Sequence, residues 1–297
     1  MPGPGSRRSD VTALQRVFGR NAAYILIAPA ALWLAVFFLF PILSLLTTSL
    51  SDPAGNPVTG YTLTWRVQNY VEALADYWPY LGRSLLYAGI ATFFCLILGY
   101  VLAYAIAFKA GRFKTIMLVL VIAPFFTSFL VRTLSWKLIL ADNGWIVETL
   151  QSLNLLAEDG RLLATPVAVV AGLTYNFLPF MILPLYTSLE KIDPKLNEAA
   201  ADLYANPVQR FWRVIWPLSL PGVVGGTLLT FIPATGDYIN AELLGSPNTQ
   251  MVGNRIQALF TTVGDYPHAA ALSVILMAMI VAMVLYYVRK AGTEDLL

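Results

Sequence analysis

Six stretches of the chain are apolar for long enough to cross a lipid bilayer, and this constrains the fold more than any other feature. A helix needs about 20 mostly apolar residues to span a hydrocarbon core of about 30 Å. The stretches fall at 22–46, 84–108, 115–139, 166–189, 217–241 and 269–288. Their period is helical, or apolar all round, rather than alternating, which disfavours a β-barrel. The expected fold is therefore all-α: a polytopic membrane bundle of six transmembrane helices. Composition agrees, since 58% of the residues are apolar and only 12% charged, about half the charge of a soluble domain. A net charge of +2 is too small for a polyanion-binding surface. One cysteine, Cys95, excludes a disulfide framework, and one histidine, His268, leaves no zinc cluster, so no metal site is expected.

Lysine and arginine placement sets the orientation. Arg7, Arg8, Arg16 and Arg20 precede the first stretch, and Lys109, Arg112 and Lys114 follow the second. Lys191, Lys195, Arg210 and Arg213 lie between the fourth and fifth, and Arg289 and Lys290 follow the sixth. The opposite loops hold only Arg66, Arg83, Arg161 and Arg255, and carry most of the acids. Both termini are thus expected in the cytoplasm, with 1–21 as a cytoplasmic tail. The first stretch, 22–46, is far longer than a signal peptide's apolar core and reads as an uncleaved anchor. The remaining five spans form a unit over 80–289. In the outer loops, apolar residues at helical spacing predict short helices over 145–156 and 254–263, whereas 47–83, with Pro53, Gly55, Pro57 and Gly60, reads as a loop with one short helix.

The most specific segment is the cytoplasmic loop 190–216. Asp193-Pro194 and Asn206-Pro207 each place a capping side chain before a first-turn proline, predicting a helix–turn–helix. The first helix carries Glu198 and the small residues Ala199, Ala200 and Ala201, which let a partner surface approach closely. On physical grounds alone, this is either a docking element or a solvated connector.

The loop resembles the EAA loop of the membrane-spanning subunits of ABC importers, whose pattern is E-A-A-x3-G-x9-I-x-L-P. Glu198, Ala199 and Ala200 match, Val214 stands for the isoleucine and Pro217 falls on the proline; Tyr204 replaces the glycine and Trp216 the leucine. The opening LIAPAALWLAVFFLFPILSLLTTSL, the third-span PFFTSFLVRTLSWKLILADNGWI and the late FIPATGDYINAELLGSPNTQMVGNRIQ are similar to the spermidine/putrescine branch of these permeases. The resemblance implies a type I permease core in the cytoplasmic (inner) membrane, and a machine of four kinds of part. These are a second permease subunit, a pair of cytoplasmic ATPase subunits, an extracytoplasmic solute-binding protein and this chain. It further implies that Glu198, Ala199, Ala200, Asp202 and Tyr204 couple the pore to the ATPase. The cargo would be a small polyammonium cation, with iron, thiamine, opines or phosphonates as alternatives carried by similar permeases.

No phosphate-binding GxxxxGK[ST] loop and no nucleophile–histidine–acid set is present. The chain is therefore expected to be no enzyme and to hold no cofactor, ATP and magnesium being bound by the partner ATPase. A self-contained channel or secondary transporter is the competing class. Charge within lipid costs roughly 2.5–3.5 kcal/mol, so an intramembrane carboxylate needs a partner or water. Asp237 is the sharpest case, expected in the outer half of the fifth span beside Tyr238, with Glu242 at the mouth. It suits either an ammonium pathway or a structural ion pair with Arg132. Tyr175 and Asn176, on a fourth span kinked by Pro179 and Pro184, are further candidates for the path.

Overall fold

The computed structural model describes residues 22–157 and 159–291; the expected cytoplasmic tail, 1–21, lies outside them. Among the described residues there is no strand, only isolated bridges at Ser51–Leu63 and Asn56–Gly60. Helix α1 runs through Ala22–Leu34, a π-turn at Ala35–Leu39 and Phe40–Ser49. Helix α2 is Gln68–Lys109, α3 Gly111–Phe126 and α4 Phe129–Ile139. Helix α5 is Trp145–Ser152, α6 Pro166–Glu190, α7 Pro194–Asp202 and α8 Pro207–Gly236. Three more follow: α9, Ile239–Leu244, α10, Val252–Ala258, and α11, Tyr266–Ala291.

Five of these helices, α1, α2, α6, α8 and α11, are long and apolar enough to cross a membrane. A bent pair, α3 and α4, which meet at 95°, passes the same test of length and apolarity only when its two arms are taken together. The sequence predicts one continuous span over 115–139, and the structure corrects this. Pro124 sits in a tight 3₁₀ turn, Thr127 and Ser128 are extended, and Ser128 opens α4 as its N-cap residue. Two further expectations change. Residues 68–83 belong to α2, which continues as one helix through Pro79 rather than forming a loop. The fifth span ends at Gly236, not 241.

The core is built by α2, α6 and α8. Cys95, Ile106, Met181, Ile182, Leu185, Leu189 and Ile215 are buried at their junction. The helices approach closely because glycine leaves the space. A Cβ on Gly226 would stand 2.7 Å from Met181 Sδ, and one on Gly222 2.7 Å from the Pro184 carbonyl. Towards the end of the bundle that carries the 190–216 loop, π-turns at Ala105–Lys109 and Phe211–Ile215 flank an aromatic cluster. There Tyr100 packs 5.5 Å from Phe211 and 5.4 Å from Trp216, and its hydroxyl pairs with Ser219 Oγ at 2.8 Å. Helix α11 packs on α2 and on the second half of α1. The apolar window of α1 itself buries nothing within the chain. Its end is nevertheless fixed, since Asn69 Nδ2 donates to the carbonyls of Ser49 and Ser51 at 2.9 and 2.8 Å.

Candidate coupling loop and outer polar site

At the end of the bundle that carries the 190–216 loop, α7 and the start of α8 form the helix–turn–helix that their capping residues dictate. Asp193 Oδ1 accepts the Lys195 N–H at 2.9 Å, and Asn206 and Gln209 form a reciprocal capping box at 2.8 and 3.0 Å. The second helix does not stop at the membrane but runs on from Pro207 into the span. Every residue of α7 is at least partly exposed; Glu198, Ala199 and Asp202 are open and Ala200 is half-buried. Leu203 and Tyr204 project at the turn, 81% and 97% exposed. Tyr204 adopts a φ of +60°, the left-handed conformation that glycine normally supplies at a helix end. The tyrosine therefore keeps the turn of the motif while losing its residue.

At the outer end, α8 stops one residue before Asp237, which is extended (φ −66°, ψ 129°) and only 9% exposed. The sequence places Asp237 inside the helix; the structure makes it the residue that ends α8 and supports α9, through the Asn240 N–H donating to Oδ1 at 2.8 Å. Asn240 Oδ1 accepts from Asn176 Nδ2 at 3.0 Å, and Asn176 also reaches Thr133 Oγ1 at 3.2 Å. One buried network thus ties α4, α6 and α9 together. The alternative ion pair is absent: Arg132 has no carboxylate within 4 Å among the described residues, and its guanidinium lies 5.8 and 5.7 Å from the Phe125 and Phe129 rings.

The other candidates divide between two places. Tyr238, 41% exposed, and Glu242 are gathered by Asn254, whose Nδ2 donates to the Tyr238 carbonyl and to Glu242 Oε2, both at 3.0 Å. Tyr175 faces away from its neighbour Asn176. Its ring packs 5.3 Å from Trp136 on a groove of about 630 Å³ between α2, α4 and α6 that Tyr87, Phe94 and Val170 also line. The structure therefore joins Asp237 to Asn176, and Tyr238 to Glu242, but leaves Tyr175 on a separate aromatic wall. Asn240, Asn254 and Thr133 were not singled out by sequence reasoning. The Asp-x-x-Asn spacing of 237 and 240, a helix-capping interval, is the one local signal that pointed to any of them. The lone His268 proves to be an outer-face tie: Nδ1 meets Asp265 Oδ2 at 2.7 Å and Nε2 meets Glu72 Oε2 at 3.0 Å, joining α11 to α2.

Comparison with known proteins bears on both regions. The family described as "Binding-protein-dependent transport system inner membrane component" matches residues 96–291. The chain is 37% identical over 258 residues to the spermidine/putrescine transport system permease protein PotB of Haemophilus influenzae, covering 86% of this chain and 90% of that one. It is 38% identical over 262 residues to PotB of Escherichia coli K12, covering 87% and 94%. Among solved structures, a bacterial ABC transporter that imports the acidic polysaccharide alginate superposes with a TM-score of 0.74 at 16% identity, covering 95% of this chain and 99% of that chain. The same kind of transporter in complex with a pentasaccharide-bound periplasmic protein gives 0.72 at 17% identity, over 94% and 97%. These two likenesses establish the fold.

Proposed function

The chain belongs to the family of binding-protein-dependent transport system inner membrane components, and on that premise we propose that it is the polyamine permease subunit of an ATP-driven importer. The observation that carries this reading is identity of 37–38% to spermidine/putrescine permeases over 86% or more of the chain. A permease subunit is not itself an enzyme. In this reading ATP and magnesium bind a pair of cytoplasmic ATPases, a second permease subunit completes the pore, and an extracytoplasmic solute-binding protein delivers the cargo. Both termini face the cytoplasm, in keeping with the excess of Lys and Arg in the tail and in the 109–114 and 190–213 loops.

The coupling step uses the exposed loop. Glu198, Ala199, Ala200, Asp202 and Tyr204 seat in the ATPase, and its closure displaces α7. Because α8 is one helix from Pro207 to Gly236, a displacement at its cytoplasmic end tilts its outer end as a lever. That outer end is where the helix gives way to Asp237. Tilting α8 against α9 strains the Asn240 bond and opens the carboxylate to the path, where a primary ammonium would gain a charge-assisted hydrogen bond. Tyr238 and Glu242 offer further contacts at the mouth, and Tyr175 an aromatic face for cation–π attraction. Asn176 acts by holding Asn240 in place. The extended backbone at Thr127 and Ser128 fits the same picture, since non-helical backbone at membrane depth is stable only against protein or water.

The test is reconstitution of the chain with its ATPase, second permease and binding protein in vesicles. Spermidine uptake should require ATP and the binding protein, and should exceed uptake of ferric iron, thiamine or a phosphonate. Uptake by this chain alone, or preference for another of those solutes, would refute the proposal.

A further inference from the structure

Of the four arginines in the outer segments, two are matched with acids of the same chain. Arg66 lies 3.2 Å from Glu72 and 3.8 Å from Asp52, and Arg161 lies 2.9 Å from Asp142. Arg83 and Arg255 have no carboxylate within 4 Å among the described residues. Although 172 positions apart, they converge on one side chain. Arg255 Nη2 donates to the Tyr80 hydroxyl at 2.6 Å with its guanidinium 4.5 Å from the ring centre, and Arg83 lies 5.4 Å from the same ring. Arg83 Nη1 donates to the Gln250 carbonyl at 2.7 Å, which orients it, whereas Arg255 Nε is buried with no hydrogen-bond partner. Both residues remain partly exposed.

Two cations held on one aromatic ring repel each other, and the ring's negative face offsets only part of that cost. The fold keeps them together from α2 and α10 with no carboxylate of the described residues within 4 Å, which leaves the pair open to an anion from outside the chain. Its height says where that anion comes from. Counting back from Lys109, at the cytoplasmic end of α2, Arg83 lies about 39 Å along the helix at about 1.5 Å per residue. A hydrocarbon core is about 30 Å thick. The pair therefore stands beyond the acyl chains on the extracytoplasmic side, with Trp78 exposed one turn further out. The acids Glu72, Asp76 and Asp265 on the surrounding outer segments make this face a poor seat for an anionic membrane surface, whereas individual carboxylates of a protein surface can pair with the guanidiniums one at a time.

We propose that Arg83 and Arg255, presented on Tyr80, are a docking point for surface carboxylates of the extracytoplasmic solute-binding protein. The inference rests on the reading that such a protein delivers the cargo, and it names where one lobe of it is caught. Charges of this kind act mainly on the association rate and give it a salt dependence.

The experiment measures association of the spermidine-loaded solute-binding protein with the full transporter in nanodiscs, at low and high ionic strength. Wild-type association should slow as salt rises. Arg83→Glu and Arg255→Glu should each slow it by about tenfold at low salt and flatten the salt dependence, while Arg255→Lys, which keeps the charge, stays within about threefold. Salt-independent wild-type association overturns the proposal without recourse to any variant. So do glutamate variants that bind as wild type does, and a loss seen only in nanodiscs containing anionic lipid, which would assign the pair to a headgroup. If the wild-type transporter captures no binding protein at all, the delivery reading fails along with it, a result distinct from wild-type capture that the variants leave unchanged.

Discussion

Tyr204 holds a φ of +60° with its ring almost wholly in solvent, so no side-chain packing compensates the backbone. A non-glycine residue pays roughly 1–2 kcal/mol in this conformation. Tyr204→Gly should therefore tighten the turn by about 1 kcal/mol, slowing exchange of the Ala205 amide, which donates to the Ala200 carbonyl at 3.1 Å, by about fivefold. If exchange is unchanged, the tyrosine conformation is unstrained. Asp237 poses the opposite question, of charge against shape. Asparagine caps a helix as well as aspartate does, so Asp237→Asn should preserve the Asn240 bond and the assembled complex. Spermidine uptake should nevertheless fall by about tenfold, the loss of one charge-assisted contact. Equal uptake would leave Asp237 with a capping role alone. That Asp237 is a buried carboxylate was legible from its place in an apolar run. That it ends the helix was not, because Pro233 and Gly236 occur within helices as readily as at their ends in membrane spans.

The elements pack through positions where a methyl group decides the spacing. A Cβ at Gly222 would lie 2.6 Å from Ser188 Cβ and 2.7 Å from the Pro184 carbonyl oxygen, and the latter is backbone that cannot rotate away. At Gly225, three residues on, the nearest atom stands at 3.8 Å. Gly222→Ala should therefore destabilise the α6–α8 contact by about 1–3 kcal/mol, while Gly225→Ala should be neutral or slightly stabilising through helix propensity. Melting of the two variants in detergent distinguishes them; matched melting temperatures would mean that α8 simply slides. The spans themselves were readable because a bilayer demands a run of fixed length. The kink at 127–128 was not, because hydropathy averages over direction and both arms of the bend are equally apolar. Pro124 and the Thr-Ser pair marked the place without giving its 95° angle. The outward extension of α2 was missed for the opposite reason: 68–83 is too polar for a span, and it follows directly on the loop that Pro53, Gly55, Pro57 and Gly60 mark.

At the scale of the whole molecule, the loop 190–216 is anchored at its ends by Ile192 and Ile215 and leaves every residue of α7 at least partly exposed. Glu198→Lys reverses an exposed charge on α7 that makes no ion pair among the described residues, and should leave insertion and melting unchanged. Co-purification of the ATPase should drop by about tenfold or more, as expected when a contact charge is reversed; undiminished co-purification together with normal uptake would show that α7 is only a connector. The loop's caps and its alanine patch were legible in the sequence, since Asx-Pro pairs specify helix starts locally. The outer network was not, because Asn176, Asn240 and Thr133 meet only once three helices have been packed. The bend between α3 and α4 has one more consequence, for how the chain is made. At about 1.5 Å per residue, Gly111–Phe126 is about 24 Å long and Phe129–Ile139 about 16 Å, so neither arm alone bridges the bilayer. The peptide groups opened at the corner cannot be abandoned to lipid tails. Pro166–Glu190, made after both arms, packs on each of them, so the corner is expected to gain its shelter only once that later helix is in place.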